Sequence, residues 1–435
     1  MSTLLGYVLM LCMGGISVAI GDKFSVFPPN SANCEIIGSF LVCDLKMPIP
    51  VTADFKLTVS DFFIDIYLNT RGHLRILPSN AFSTGVARPP FKLAIEDTYA
   101  QMHGIMPGAF GGLSVKTLEI TGTGIRHLMP GAFRGLRVDA LFMENNEINE
   151  ITSNTFSGMI NTTKILSLKQ NPLKLIQANS FSSFPSLEIL LLNDNSLEKG
   201  QLKIERGALD GLDHLKLLNL SSSKLDTEES LPFRAGPSLE RLDVSHNEVN
   251  LTCDPGMFSG AENLKVVNFS HNAMNDLSCL EALAKARNLE ELVLDDVEFD
   301  EGVKSLTKES LNGFGKLKKL DLGNAHFTQF DPEAFSTMTS VRDIRLGVGN
   351  GANLSLSIFN PVAATIARVD LNVHGSNVTL IPGNNLAPTV ARVHIEDTET
   401  RGCETSHLKP ACSSFLGGII VHCSEYVVDF VCREN

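Results

Sequence analysis

The chain has 435 residues, with 36 Lys and Arg against 49 Asp and Glu, and a formal net charge of −13. That excess of negative charge, with no basic run to offset it, repels phosphate backbones and argues against nucleic acid as a partner. The 25 Phe, beside 4 Tyr and no Trp, point to one aromatic residue used again and again for one structural purpose.

Met1 to Gly21 reads as a secretory signal. An apolar stretch from Leu4 to Leu11 leads into the small residues Gly14, Gly15, Ser17 and Ala19, so cleavage is expected after Ala19 or Gly21. Residues 22–63 are expected to form an N-terminal cap, and 397–435 a C-terminal cap. No later stretch is long and apolar enough for a membrane span, and the ending Cys432-Arg433-Glu434-Asn435 is too polar for a lipid-anchor signal. The expectation is a soluble, secreted protein. With Cys12 removed in the signal, Cys34, Cys43, Cys253, Cys279, Cys403, Cys412, Cys423 and Cys432 remain. An even number in a secreted chain predicts disulfides, and the absence of Cys-x-x-Cys pairing speaks against zinc.

Between the caps the chain repeats itself. Leu187-Glu188-Ile189-Leu190-Leu191-Leu192-Asn193-Asp194-Asn195-Ser196-Leu197 has the form LxxLxLxxNxL, and the pattern returns from Leu239 and from Leu264. Repeats start at Val115, Val138, Thr163, Leu187, Leu215, Leu239, Leu264, Leu289, Leu317, Val341, Ile366 and Val390, mostly 23 to 25 residues apart with two steps of 28. Two less regular ones precede them, around Ile64–Leu68 and Leu93–Ile95. Alternation along the LxL core sends every second residue inward on a short strand, and each coil adds one strand to a parallel sheet. An Asn at the ninth position satisfies backbone groups where the strand turns away. Asn146, Asn171, Asn195, Asn247 and Asn272 form that ladder, Ser223 substitutes once, and the ladder lapses at Val297, Ala325 and Gly349. Phe133, Phe156, Phe181, Phe233, Phe335 and Phe359 each fall eighteen residues after a repeat start. They predict a stacked aromatic spine under the convex side.

The pattern resembles the extracellular, typical leucine-rich-repeat family over residues 64–396, about fourteen repeats. The resemblance implies an α/β solenoid: a curved horseshoe with a parallel concave β-sheet, an irregular or short-helical convex side and disulfide-bearing end caps. It also implies a binding protein. The N-terminal cap departs from the family in having two cysteines where four are common, and the spacing of the C-terminal four is unusual.

Chemistry is absent. There is no GxSxG, HExxH, GxxxxGK[ST] or EF-hand loop, and Gly347-Val348-Gly349-Asn350-Gly351 opens no helix that would hold a phosphate. His246 and His271 share the eighth position of successive coils, with Asp296 following. That arrangement offers ligands to a metal or a sensor of acid pH, but Ser-His-Asn is also a plain variant of the repeat. No catalytic residue, metal or cofactor is assigned.

The outward positions carry the functional reading. Ala140, Phe142, Ile165, Ile189, Leu191 and Leu217 make the concave face of the earlier coils apolar, while Arg241, Asp243, Asp295, Asp321, Asp343, Arg345, Arg368, Asp370, Arg392 and Glu396 charge the later ones. An apolar patch of that kind is seldom idle, so the concave patch is the expected site for an extracellular protein ligand, with a glycan or lipid-like ligand as alternatives. A non-catalytic carrier subunit of a secreted enzyme complex, or a matrix or adhesion component, fits the same residues. Stacking brings Cys253 and Cys279, at the fifteenth and sixteenth positions of adjacent repeats, within the roughly 4.4–6.8 Å of a disulfide. Six Asn-x-Ser/Thr sequences, at Asn161, Asn219, Asn250, Asn268, Asn353 and Asn377, are candidate N-glycosylation sites.

Overall fold

The computed structural model describes residues 24–27, 31–49, 56–59, 65–84, 92–195, 200–226, 231, 233–274, 276–300, 304–374, 379–381, 390–396, 419–423 and 426–428. The signal segment, Asn377, Cys403, Cys412 and Cys432 lie outside these residues, as does the side chain of Cys423.

Stacked coils put one long sheet on the concave side. It begins with the antiparallel hairpin Ala32–Ile37 and Phe40–Leu45, whose second strand pairs in parallel with Asp65–Asn69. Parallel pairing then runs coil by coil through Lys92–Glu96, Ser114–Thr121 and Arg137–Phe142 to Arg368–His374, Val390–Glu396 and Ile419–Cys423. An antiparallel turn-back onto Tyr426–Val428 ends it. The outer hairpin strands, Ala32–Ile37 and Tyr426–Val428, are the edges of the sheet among the described residues. The register superposes the repeat on itself. Leu118, Leu141, Leu166, Leu190, Leu218, Leu242, Val267, Leu292 and Leu320 lie opposite one another in an inward row, all essentially buried.

The asparagine ladder explains why the middle strands are short. Ile165–Ser167, Ile189–Leu191, Leu217–Asn219, Arg241–Asp243 and Val266–Asn268 are three residues each. Beyond each, the chain bends at a residue in the left-handed region, and the buried Asn or Ser comes next. Asn145, Gln170, Asp194, Ser222, His246 and His271 all have φ between 52° and 59°. Such a conformation costs a non-glycine residue about 1–2 kcal/mol, so the turn needs strong support. Asn247 supplies it on both sides. Its Oδ1 accepts from the N–H groups of Ser223 at 3.0 Å and Leu225 at 3.3 Å, and its Nδ2 donates to the carbonyls of Leu220 at 3.1 Å and Val244 at 2.6 Å. Asn171 repeats the pattern with Ile148 N–H and the carbonyls of Met143 and Leu168. Ser223 donates from Oγ to the carbonyl of Leu192 at 2.7 Å.

Where Ala325 and Gly349 replace the Asn the strands lengthen, while Glu291–Val293 keeps three residues ahead of Val297. Lys319–Phe327, Asp343–Val348 and Arg368–His374 run nine, six and seven residues, so backbone groups that Asn would have capped pair across the sheet instead. The longer strands lie very close together. A Cβ on Gly347 would fall 2.7 Å from both the Ala325 nitrogen and the Gly323 oxygen, and one on Gly349 2.6 Å from the His326 oxygen.

The convex side consists of turns and two-residue strand pairs. Among the described residues, helix is confined to Ser278–Leu283 and the 3-10 segment Leu356–Val362, so the molecule is a β-solenoid with little helix. The phenylalanine spine lies beneath this side. Rings stack from Phe82 through Phe110, Phe133 and Phe156 to Phe181 with centroids 5.6 to 6.4 Å apart, and again from Phe335 to Phe359 at 5.4 Å. Two disulfides are present among the described residues. Cys34–Cys43 crosses the N-terminal hairpin, and Cys253–Cys279 joins adjacent coils with Cα atoms 4.7 Å apart.

Candidate binding surface

Register turns the repeat's third positions into a row across the concave face: Thr117, Ala140, Ile165, Ile189, Leu217 and Arg241 are successive neighbours. The fifth positions form a second row of Glu119, Phe142, Ser167, Leu191, Asn219 and Asp243. The structure therefore brings the six apolar residues together, but it covers them more than alternation alone implies. Phe142, Ile165, Ile189, Leu191 and Leu217 are half-buried, and Ala140 is buried. The methyl of Ala140 is too short to rise above its neighbours Thr117 and Ile165. The first row is an unbroken aliphatic stripe from Ala140 to Leu217. The second is interrupted by Ser167, which is buried and donates to Glu144 Oε1 at 2.7 Å, and by Asn219.

Many of the charges around the patch are paired with one another. Glu144 faces Lys169 at 3.3 Å and Glu119 faces Lys92 at 2.6 Å. Along one border, Glu188 bridges Lys164 at 3.3 Å and Lys216 at 2.7 Å, followed by Glu240 with Lys265 and Glu290 with Lys318. Hydrogen bonding to Lys216 and then Lys164 holds the Glu188 carboxyl below the ordinary carboxylate range, and Glu188 in turn raises Lys216. Outward-residue reasoning missed this ladder. Its signal lies in the second repeat position, which reads Asp139, Lys164, Glu188, Lys216, Glu240, Lys265, Glu290, Lys318 with strictly alternating sign. Also missed was the N-terminal end of the same face. There Phe40 is exposed, its ring is 6.5 Å from Tyr67, and the Lys92 ammonium sits 5.7 Å over the Tyr67 ring. Burial, with Asp65 next, pushes the Tyr67 hydroxyl up to about 12.

In the later coils, Arg345 reaches over Gly323 to place Nη1 3.0 Å from Asp295 Oδ2 and 3.8 Å from Asp321 Oδ1. Burial pushes the Asp321 carboxyl above its ordinary value; Arg345 pulls it back and Asp295 adds to the rise. Arg368 is bonded to Asp370. The His246 and His271 rings stack face to face at 3.9 Å, and His271 Nδ1 lies 2.8 Å from Asp296 Oδ2. Stacked rings do not converge on a common point, and no group of three metal-ligating side chains occurs among the described residues.

The sequons differ in setting. Asn161, Asn250 and Asn353 are exposed. Asn219 and Asn268 are half-buried, and each accepts from the N–H and the hydroxyl of the serine two residues on, at 2.8 to 3.1 Å. Asp243 makes the same turn with Ser245, so the motif is an element of the coil whether or not a sequon is present.

A parallel sheet with an inward leucine row, a buried asparagine at most turns of the middle coils and a concave outer face defines a leucine-rich-repeat solenoid. Comparison with known proteins gives the same class. Six copies of the BspA-type leucine-rich-repeat region match residues 94–201 and 286–360. CD180 antigen of Mus musculus is 23% identical over 253 residues, 52% of this chain and 37% of that protein. Lumican of Gallus gallus is 28% identical over 183 residues, 42% of this chain and 50% of that protein. A crystal structure of a TLR13–ssRNA13 complex superposes with a TM-score of 0.53 and 16% identity, covering 83% of this chain and 54% of the other. The chain has the leucine-rich-repeat fold, and it spans about half the length, or less, of these relatives. No helix among the described residues is long and apolar enough to cross a membrane.

Proposed function

We propose that this is a secreted, non-catalytic recognition protein that holds an extracellular protein on its concave face. The contact is centred on Phe142, Ile165, Ile189, Leu191 and Leu217, with Ala140 packed beneath. One observation carries the reading: an aliphatic stripe crosses four adjacent strands, and many of the charges bordering it are bridged to one another. A partner that covers the stripe gains apolar burial and leaves few charges without partners, so protein fits better than a polyanion. The two disulfides and the signal-like N-terminus support an extracellular location. Toll-like receptor 9 and CD180 antigen of Mus musculus among the relatives support recognition as the role.

The test is capture of a partner from extracellular fluid by the tagged chain and by its Phe142→Asp/Leu191→Asp double variant. Capture should be lost while secretion and melting temperature stay close to those of the unmodified chain. Capture that survives excludes the patch; secretion that fails shows these side chains to be core. Affinity should also change less than about threefold between low and high salt, because many of the border charges are already compensated.

A further inference from the structure

At its N-terminal side the concave sheet ends in a strand, Ala32–Ile37, that is paired on one edge only. Lys46 N–H donates to the Ser31 carbonyl at 2.8 Å, which marks Ser31, and by alternation Asn33, Glu35 and Ile37, as the residues bonded across the hairpin. Cys34 and Cys43 face each other with Cα atoms 4.1 Å apart, the close spacing of a pair that exchanges no backbone bonds. The N–H and C=O groups of Ala32, Cys34 and Ile36 therefore point out of the sheet, and among the described residues they have no partner. The side chains of the same three residues pack against the core yet stay half-buried, where Leu41, Cys43 and Leu45 of the next strand are 0–1% exposed. On the concave side the half-buried Ile37 lies opposite the exposed Phe40. Neither lysine, proline nor a bulge interrupts Ala32–Ile37, the devices by which sheets commonly keep an edge unpaired.

We propose that a second copy of this chain adds to this edge, Ala32–Ile37 pairing antiparallel with its own counterpart across a twofold axis at Cys34. In that register the strand is its own complement. Cys34 meets Cys34 of the second copy and Ile36 meets Ala32, so every outward N–H and C=O of these residues gains a partner and the half-covered inward side chains are closed over. On the concave side Asn33 stands against Glu35 of the second copy, once on each side of the axis. Sliding the pairing one step sets Glu35 against Glu35, like charges directly opposite. Sliding it the other way leaves Ile36 beyond the end of its partner strand. A contact of this kind is isologous, so it closes at a dimer. It joins two concave sheets into one and lies three strands away from Arg137–Phe142, where the proposed protein contact begins, and so does not depend on that contact.

Sedimentation equilibrium of the full chain over a series of micromolar concentrations is the test. The mass should rise towards twice that of the monomer and go no further. Ile36→Pro removes an N–H that the hairpin does not use, so it should keep the fold and weaken the dimer about tenfold or more. Asn33→Lys should tighten the dimer through Glu35 of the second copy, and Asn33→Glu should loosen it; this pair decides if Ile36→Pro folds poorly. The Phe142→Asp/Leu191→Asp variant should dimerise as the unmodified chain does. A chain that stays monomeric throughout, or a dimer indifferent to the strand variants or lost in the concave one, overturns the proposal. So does growth past the dimer, which would signal head-to-tail addition through the opposite edge, Tyr426–Val428.

Discussion

The coils from Arg137 to Asn272 and those from Lys319 to His374 solve the same problem in opposite ways. Each must end a buried strand without stranding its N–H and C=O groups. The earlier coils end the strand at the fifth position of the repeat, from Phe142 to Asn268, and give the job mostly to a buried amide, as Asn171 and Asn247 show. The later coils continue the strand and let the neighbour supply the bonds, which draws backbones so close that Gly347 and Gly349 have no room for a side chain. A repeat can therefore lose its signature residue and keep its fold, provided side-chain volume is removed where the extended strands meet. The coil at Leu289 joins the two. It retains the left-handed bend at Asp296, φ 54°, but has Val297 in place of Asn.

The comparison can be broken most forcefully near that seam. Replacing Cys253 and Cys279 together with Ala removes a cross-link of 26-residue separation and should cost about 3.5 kcal/mol in denaturant titration. Hydrogen exchange should rise most in the coils that flank the bond. Asn247→Ala should follow at about 3 kcal/mol, because backbone donors and acceptors on two coils lose buried partners at once. In the later coils the strands run on and pair with each other past this position, so Ala325→Asn should destabilise, by crowding, instead of repairing a ladder. A stabilised Ala325→Asn variant would contradict the account given for the longer strands.

Smaller effects sharpen the picture. Gly323→Ala puts a Cβ 2.6 Å from Asp295 Oδ1 and 2.7 Å from the Arg345 guanidinium. It should break that bridge at a cost of about 1 kcal/mol, while Gly108→Ala, with open space around it, should show only the strain of its positive φ. Least of all is Asp321→Asn. A carboxyl whose folded pKa is raised favours folding in its protonated form, so its contribution is full below its unfolded pKa and is lost as pH rises through the folded value. Asp321→Asn should be neutral to slightly stabilising at pH 7, and the gain over the native chain should vanish as pH falls below 4. A variant that instead loses stability at pH 7 and regains it in acid would show Arg345 outweighing burial.

Stacking makes such a chain readable, because position in the repeat becomes position in space. The inward leucines, the asparagine ladder, the spine from Phe133 to Phe181 and the proximity of Cys253 to Cys279 all follow from one period. So would the Lys–Glu border, had the second position been followed down the coils. What the period conceals is lateral packing. Ala140 is on the outward side yet buried, because its cover comes from longer neighbours on either strand. Ser167 is hidden because its hydroxyl turns towards Glu144. The length of Lys319–Phe327 depends on the glycines of the next coil, a relation between strands that no single repeat contains.

The Cys253–Cys279 bond has a mechanical consequence. A solenoid pulled from its ends unwinds coil by coil, paying out chain as each one detaches. The covalent loop withholds its residues from that extension: at roughly 3.3–3.6 Å per residue, about 90 Å of contour stays hidden until the bond is reduced. Under tension the molecule should therefore yield in two spans separated by a fixed knot, its extended length set by redox state.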